Sequence, residues 1–185
     1  CDADGRNIRM LSNNAEQENT PWMLPDGRIL YMRWEYVDRN QMLYHHLWTI
    51  NPDGTRVMVY FGNQHEGLAM LDAKPIPATD KVVASFSPAH GMPEHAGPVT
   101  IVDPSLGPDR MSMARSLGKR LFRDPYPLSE DRFLVADNGG IHLLSAEGKV
   151  ETIYRPEQSA ARWQCHEPRP LRSRRRESIL PSRVA

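Results

Sequence analysis

An all-β chain built from repeated four-stranded units is the architecture this sequence predicts, and three observations carry it. Strand–turn–strand segments return along the chain at a spacing of about 50 residues. The runs flanking the turns are rich in β-branched and aromatic residues, and several alternate in period two. Pro (16) and Gly (12) are plentiful, which suits many short strands and turns rather than a helical bundle.

The first half of the repeat is a strand, a turn and a second strand. It reads Leu47-Trp48-Thr49-Ile50-Asn51-Pro52-Asp53-Gly54-Thr55, followed by Val57-Met58-Val59-Tyr60. It returns at Val99-Thr100-Ile101-Val102-Asp103-Pro104, and again from Ile141 to Lys149 with Val150-Glu151-Thr152-Ile153-Tyr154 after it. A truncated copy opens the chain as Asp4-Gly5-Arg6-Asn7, then Ile8 to Leu11. The second half is a Pro, a polar turn and an apolar strand: Pro21 to Arg28 with Ile29-Leu30-Tyr31-Met32, then Pro77 to Lys81 with Val82 to Phe86, then Pro127 to Arg132 with Phe133 to Ala136.

Asp-Gly supplies the positive-φ positions of a tight hairpin turn. Two hairpins per repeat give a four-stranded unit that hides its apolar faces only by stacking on its neighbours. Four strands at this period predict a blade of a β-propeller. The expectation is a partial propeller of about three four-stranded blades, at 19–63, 75–117 and 122–156, plus a leading remnant. Residues 1–160 are assigned to this incomplete propeller segment and 161–185 to an Arg/Pro-rich tail or the start of the next segment. Three blades are too few for the rings of roughly four to eight that propellers form, and the chain opens at Cys1 without an initiator Met. A segment of a longer polypeptide is expected. Ser112 to Leu121 reads as a short helix or an outer strand, with Gly118 weakening the helix. Trp34 to His46 and Ser87 to Gly97 are insertions between hairpins, and long loops are where binding residues concentrate.

Composition narrows the function classes. Lys+Arg and Asp+Glu number 23 each, for zero formal charge, which disfavours a globally basic nucleic-acid binder. No apolar run reaches the roughly 18 residues of a membrane helix. Seven Arg against Glu167 and Glu177 give residues 162–185 a net charge of +5; this tail reads as a solvated linker or packing arm, or as a polyanion or membrane-surface contact. Two cysteines, Cys1 and Cys165, are too few for a disulfide framework; they are two free thiols or one bridge.

The runs Leu24-Pro25-Asp26-Gly27-Arg28-Ile29-Leu30-Tyr31 and Ile50-Asn51-Pro52-Asp53-Gly54-Thr55 resemble the Pro-Asp-Gly repeats of TolB-like propellers. Pro21 to Gly62, Ser87 to Gly97 and His166-Glu167-Pro168-Arg169-Pro170-Leu171 more specifically resemble proteins related to the hydrazine synthase alpha subunit. That resemblance implies a large exported bacterial protein, periplasmic or at the cell surface. It does not carry over the family's c-type haem. The attachment motif is Cys-x-x-Cys-His, and Arg162 stands where the first Cys of a motif ending in Cys165-His166 would be. The cofactor is left unknown.

Among candidate ligands, five His (His45, His46, His65, His90, His95) fall in or beside the expected loops. His90, Glu94 and His95 are the candidate metal ligands, because neutral imidazole and carboxylate suit such a site. The alternative is that they cap turns, and Gly91 and Pro93 rule out the helical His-Glu-x-x-His geometry. The segment Arg33-Trp34-Glu35-Tyr36-Val37-Asp38-Arg39 alternates charged and aromatic groups, with Arg33 and Arg39 flanking Glu35. Arg33, Trp34, Glu35, Tyr36 and Arg39 are read either as an inter-blade salt-bridge network or as a ligand surface at the mouth of a central channel, with the rings as stacking platforms. The Asp-Gly pairs are turn residues and lack the ligand spacing of an EF-hand. The sequence holds no Gly-x-Ser-x-Gly elbow, P-loop or dinucleotide fingerprint.

The expected function is a non-catalytic scaffold and binding segment. Its partners are a protein or small ligand at the loop face and the remaining blades of the parent chain, with no nucleic acid and no membrane span. The alternative is the accessory propeller of a redox (c-type haem) or hydrolytic enzyme whose catalytic domain lies elsewhere.

Overall fold

The computed structural model describes residues 1–2, 4–40, 42–88, 95–157, 164–173 and 175–184. Eleven strands follow one another: β1 (Glu18–Met23), β2 (Ile29–Trp34), β3 (Tyr44–Ile50), β4 (Met58–Phe61), β5 (Leu68–Pro75), β6 (Val82–Ser87), β7 (Gly97–Val102), β8 (Ala114–Pro127), β9 (Arg132–Asp137), β10 (Gly140–Ser145) and β11 (Val150–Tyr154). Among the described residues the only helix is two single 3-10 turns, Pro104–Leu106 and Met111–Met113. The all-β expectation holds. No helix of the described residues is long and apolar enough to cross a membrane.

The strands form three antiparallel meanders in succession. The first is β1-β2-β3-β4. The second is β5-β6-β7 with the first part of β8. The third is the last part of β8 with β9-β10-β11. The turns form as the Asp-Gly pairs dictate. In the β1–β2 turn the Asp26 carboxylate accepts from the Arg28 N–H at 3.0 Å, and Gly27, at φ +91°, donates to the Leu24 carbonyl at 2.9 Å. Asp53 and Gly54 repeat the device between β3 and β4, with Thr55 N–H on Asp53 at 2.9 Å and Gly54 at φ +87°.

Three details differ from the sequence reading. Asp4-Gly5 makes the expected turn, with Arg6 N–H on the Asp4 carboxylate at 3.0 Å. No strand follows, and Ile8 and Met10 lie 84% and 80% exposed. The second meander starts at Leu68 rather than near 75; β5 is an almost wholly buried run. As the outer-strand reading of Ser112 to Leu121 expects, the chain is strand from Ala114 onward, with Ser112 and Met113 in the 3-10 turn before it and Gly118 at φ +144°, a backbone that favours glycine. The units are also joined. β8 serves two meanders along one 14-residue strand, and β3 and β5 pair in parallel over two positions, Tyr44 with Leu68 and His45 with Ala69.

The core lies between the meanders. One cluster combines Leu30, Leu47 and Phe61 of the first with Met70, Val82, Ala84 and Phe86 of the second. Another combines Val83, Val99 and Ile101 of the second with Phe133, Val135 and Leu144 of the third. β6 explains how: its successive residues point to opposite faces, so Val82, Ala84 and Phe86 serve one cluster and Val83 the other, and all six of its residues are buried. Each fully buried Phe of these layers contributes about 1.5–3 kcal/mol through lost apolar hydration. Ile153 and Tyr154 on β11, the last strand, are 57% and 53% exposed.

Candidate functional site

The first strand of each meander carries the same distortion. Thr20 in β1, Asp72 in β5 and Asp124 in β8 adopt left-handed backbone at φ 51°, 56° and 49°, a constant step of 52 residues. Each sits at a break in strand register, between Asn19 and Trp22, Leu71 and Lys74, and Arg123 and Tyr126. Such bulges re-aim side chains. A fourth residue of this kind, Glu167 at φ 47°, begins Glu167-Pro168-Arg169-Pro170, which parallels Asp124-Pro125-Tyr126-Pro127.

The distorted positions meet. Asp72 N–H donates to Thr20 Oγ1 at 3.3 Å, and Glu167 N–H donates to Asp124 Oδ2 at 3.0 Å. Each side chain thus receives a backbone N–H of another distorted residue. Carboxylate oxygens of Asp72, Asp124 and Glu167 lie within 4.8 Å of one another. A hard cation spans such a separation. Two nitrogen-bearing side chains also lie here: His166 Nδ1 is 3.2 Å from Asp124, and Lys74 Nζ donates to the Asp72 carbonyl at 3.3 Å. Burial pushes the Asp72 carboxyl up to about 6, opposed by the Lys74 ammonium, and the same burial lowers Lys74.

Two positions beyond each distorted residue stand Trp22, Lys74, Tyr126 and Arg169, and these also converge. Trp22 and Tyr126 meet edge to face at 6.2 Å. Lys74 Nζ and the Arg169 guanidinium lie 5.1 Å and 5.0 Å from the Trp22 ring centre. Beyond them opens a cavity of about 730 Å³ lined by Trp22, Lys74, Tyr126 and, from the C-terminal tail, Arg172, Arg175 and Arg176. The tail reaches it by crossing from the third meander to the first. Arg172 donates to the Leu128 carbonyl at 3.2 Å, Ser178 N–H to the Pro25 carbonyl at 3.0 Å, and Arg183 N–H to Asp53 at 2.6 Å. These contacts tie the tail to the third and first meanders, while most of its described residues are exposed.

The charged and aromatic segment after β2 also assembles. Glu35 lies between both arginines, 3.3 Å from Arg33 Nε and 2.8 Å from Arg39 Nη1. β2 ends at Trp34, so a turn, with Arg39 N–H on the Tyr36 carbonyl at 3.3 Å, rather than strand alternation, returns Arg39 to Glu35. Arg33 also faces Glu16 at 3.6 Å and lies over Trp48. Arg39 donates to the Asn63 side chain and carbonyl at 2.9 Å and 2.7 Å and lies 3.6 Å over Tyr44. Trp34 stacks on His45 at 5.1 Å and leans on Tyr36 at 4.9 Å. Two arginines and two glutamates balance, and of the five residues Tyr36, at 39%, is the one most open to solvent. This network lies within the first meander and its flanking segments. Glu35→Ala leaves two half-buried guanidinium groups facing each other and is expected to cost about 1–2 kcal/mol; a urea midpoint equal to that of the parent chain removes this structural role.

Of the candidate metal ligands, His90 and Glu94 lie outside the described residues. His95 is exposed with φ 59°, near enough to Asp72 for its charge to act there. His46 is 1% exposed, and its Nε2 has no hydrogen-bond partner among the described residues. Cys1 and Cys165 are free thiols. The sequence reading missed the converging positions 20, 72 and 124, although the constant step and the proline after two of them were there to be read.

No protein family, curated protein or solved structure matches this chain.

Proposed function

We propose that the chain is a β-propeller segment that binds rather than catalyses, acting within a larger exported protein of the group related to the hydrazine synthase alpha subunit. One observation carries the reading: Thr20, Asp72 and Asp124 recur at a constant step on the first strand of consecutive four-stranded meanders, and their partners converge. Inner strands gathered about a common axis account for this, and Glu167 to Pro170 then begins a fourth inner strand. The quoted Pro-Asp-Gly runs support the same reading. The convergent polar groups are engaged with one another, which suits a fixed binding floor more than a proton-transfer site.

Asp124 is the joint that holds the fourth copy, through the Glu167 N–H and His166. Asp124→Ala is expected to release the tail, so that trypsin cuts after Arg172 severalfold faster while the meanders stay resistant. Unchanged cleavage overturns the axial role of the fourth copy. Reporter esters and phosphate esters are expected to show no saturable turnover by the intact chain; turnover that disappears in Asp124→Asn overturns the binding-only reading.

A further inference from the structure

We propose that the cavity beyond Trp22 binds a small organic oxyanion with a flat body, a phosphate monoester or a carboxylate. The inference rests on the axial arrangement above and adds the class of ligand. At about 730 Å³ the cavity has the size of a small-molecule site. Its charge is uneven: Lys74, Arg172, Arg175 and Arg176 line it against Asp80 and Glu177. Arg172 holds the Leu128 carbonyl. Arg175 and Arg176 have no hydrogen bond or ion pair with any described residue, so two guanidinium forks at the rim remain available. Such forks match the geometry of carboxylate and phosphate oxygens and bind them in pairs of charge-assisted hydrogen bonds.

The rest of the lining specifies the body of the ligand. Trp22 and Tyr126 present ring surface, and Pro75, Pro77 and Pro127 form apolar wall. A bare inorganic anion leaves those surfaces unused, whereas a planar group packs on them. The rings come from the first and third meanders, Lys74 from the second and the arginines from the tail, so the site exists only when all four are assembled. The separate sequence stretches explain why it is invisible in any one motif.

The test is calorimetric titration of the intact chain with phenyl phosphate, benzoate, inorganic phosphate and phenol, beside Arg175→Gln/Arg176→Gln and Trp22→Phe. Saturable binding of phenyl phosphate or benzoate is expected, and the stronger of the two distinguishes phosphate from carboxylate. Loss of paired charge-assisted bonds in the double arginine variant predicts at least roughly tenfold weaker binding, with added salt weakening the parent chain as well. Ligand-induced quenching of tryptophan emission is expected to fall in Trp22→Phe. Phenol is expected not to bind, and inorganic phosphate to bind more weakly than phenyl phosphate. Absence of saturable binding by either organic anion, equal affinity in the arginine variant, or equal binding of phenol overturns the proposal; inorganic phosphate binding as tightly as phenyl phosphate overturns its flat body. If Asp124→Ala frees the tail as expected but no anion binds, the ligand class fails and the axial reading stands. If the tail is not docked, both fail.

Discussion

Gly97→Ala is expected to lower the free energy of unfolding by about 3 kcal/mol, near the upper end for overpacking a core. Gly97 opens β7, opposite Phe122 of β8. A Cβ built there overlaps the carbonyl carbon and oxygen of Phe86 and the nitrogen of Ser87. These are backbone atoms of β6, buried on both sides, so no side chain can swing aside. Relief requires β6 and β7 to separate where both apolar clusters draw on them. A denaturant midpoint within experimental error of the parent chain shows that the strands do not approach as closely as described.

Acid should weaken the protein through His46. Burial lowers this imidazole to about 4, and the charges of Arg39, His45 and His65 act in the same direction. The unfolded chain holds the proton with a pKa near 6.5. Between those values the unfolded state binds more protons, so stability is fully present above about pH 6.5 and is lost as pH falls toward 4. The loss is on the order of 3 kcal/mol. His46→Leu keeps an apolar filling and removes the titration. Its stability should therefore change much less between pH 7 and pH 4.5 than that of the parent chain. Parallel pH profiles for the two proteins exclude His46 as the source.

Much of the fold is legible in the sequence because local chemistry decides it. Asp26-Gly27 and Asp53-Gly54 specify turns through a carboxylate accepting a backbone N–H two residues on and a glycine free to take positive φ. The flanking runs alternate, and the alternation in β6 matches the two faces it serves. β5 escapes the same reading because Leu68-Ala69-Met70-Leu71-Asp72-Ala73-Lys74-Pro75 buries both faces and carries an Asp and a Lys inside, so neither alternation nor polarity marks it. The opening Asp4-Gly5 shows the converse: a turn signal forms its turn whether or not a partner strand is there to extend it.

The site divides along the same line. Glu35 between Arg33 and Arg39 follows from spacing within seven residues. The further partners of the two arginines, Glu16 and Trp48 for Arg33 and Asn63 and Tyr44 for Arg39, come from outside that segment. The convergence of Asp72, Asp124 and Glu167 is wholly a product of topology. Left-handed backbone at Thr or Asp has only a weak local signature, and what forces it here is the bulge in each first strand.

β8 gives two meanders one uninterrupted ribbon of backbone. Ala114 to Ser116 and Leu121 to Phe122 pair with β7, and Arg123 to Pro127 continue into pairing with β9. Tension applied at one end of that ribbon is transmitted to both neighbours before any loop can absorb it. Shuffling these modules by recombination therefore meets no free seam there, whereas at Gly62 to Gly67, between β4 and β5, the chain is outside the strands and the two units share two parallel rungs, Tyr44 with Leu68 and His45 with Ala69.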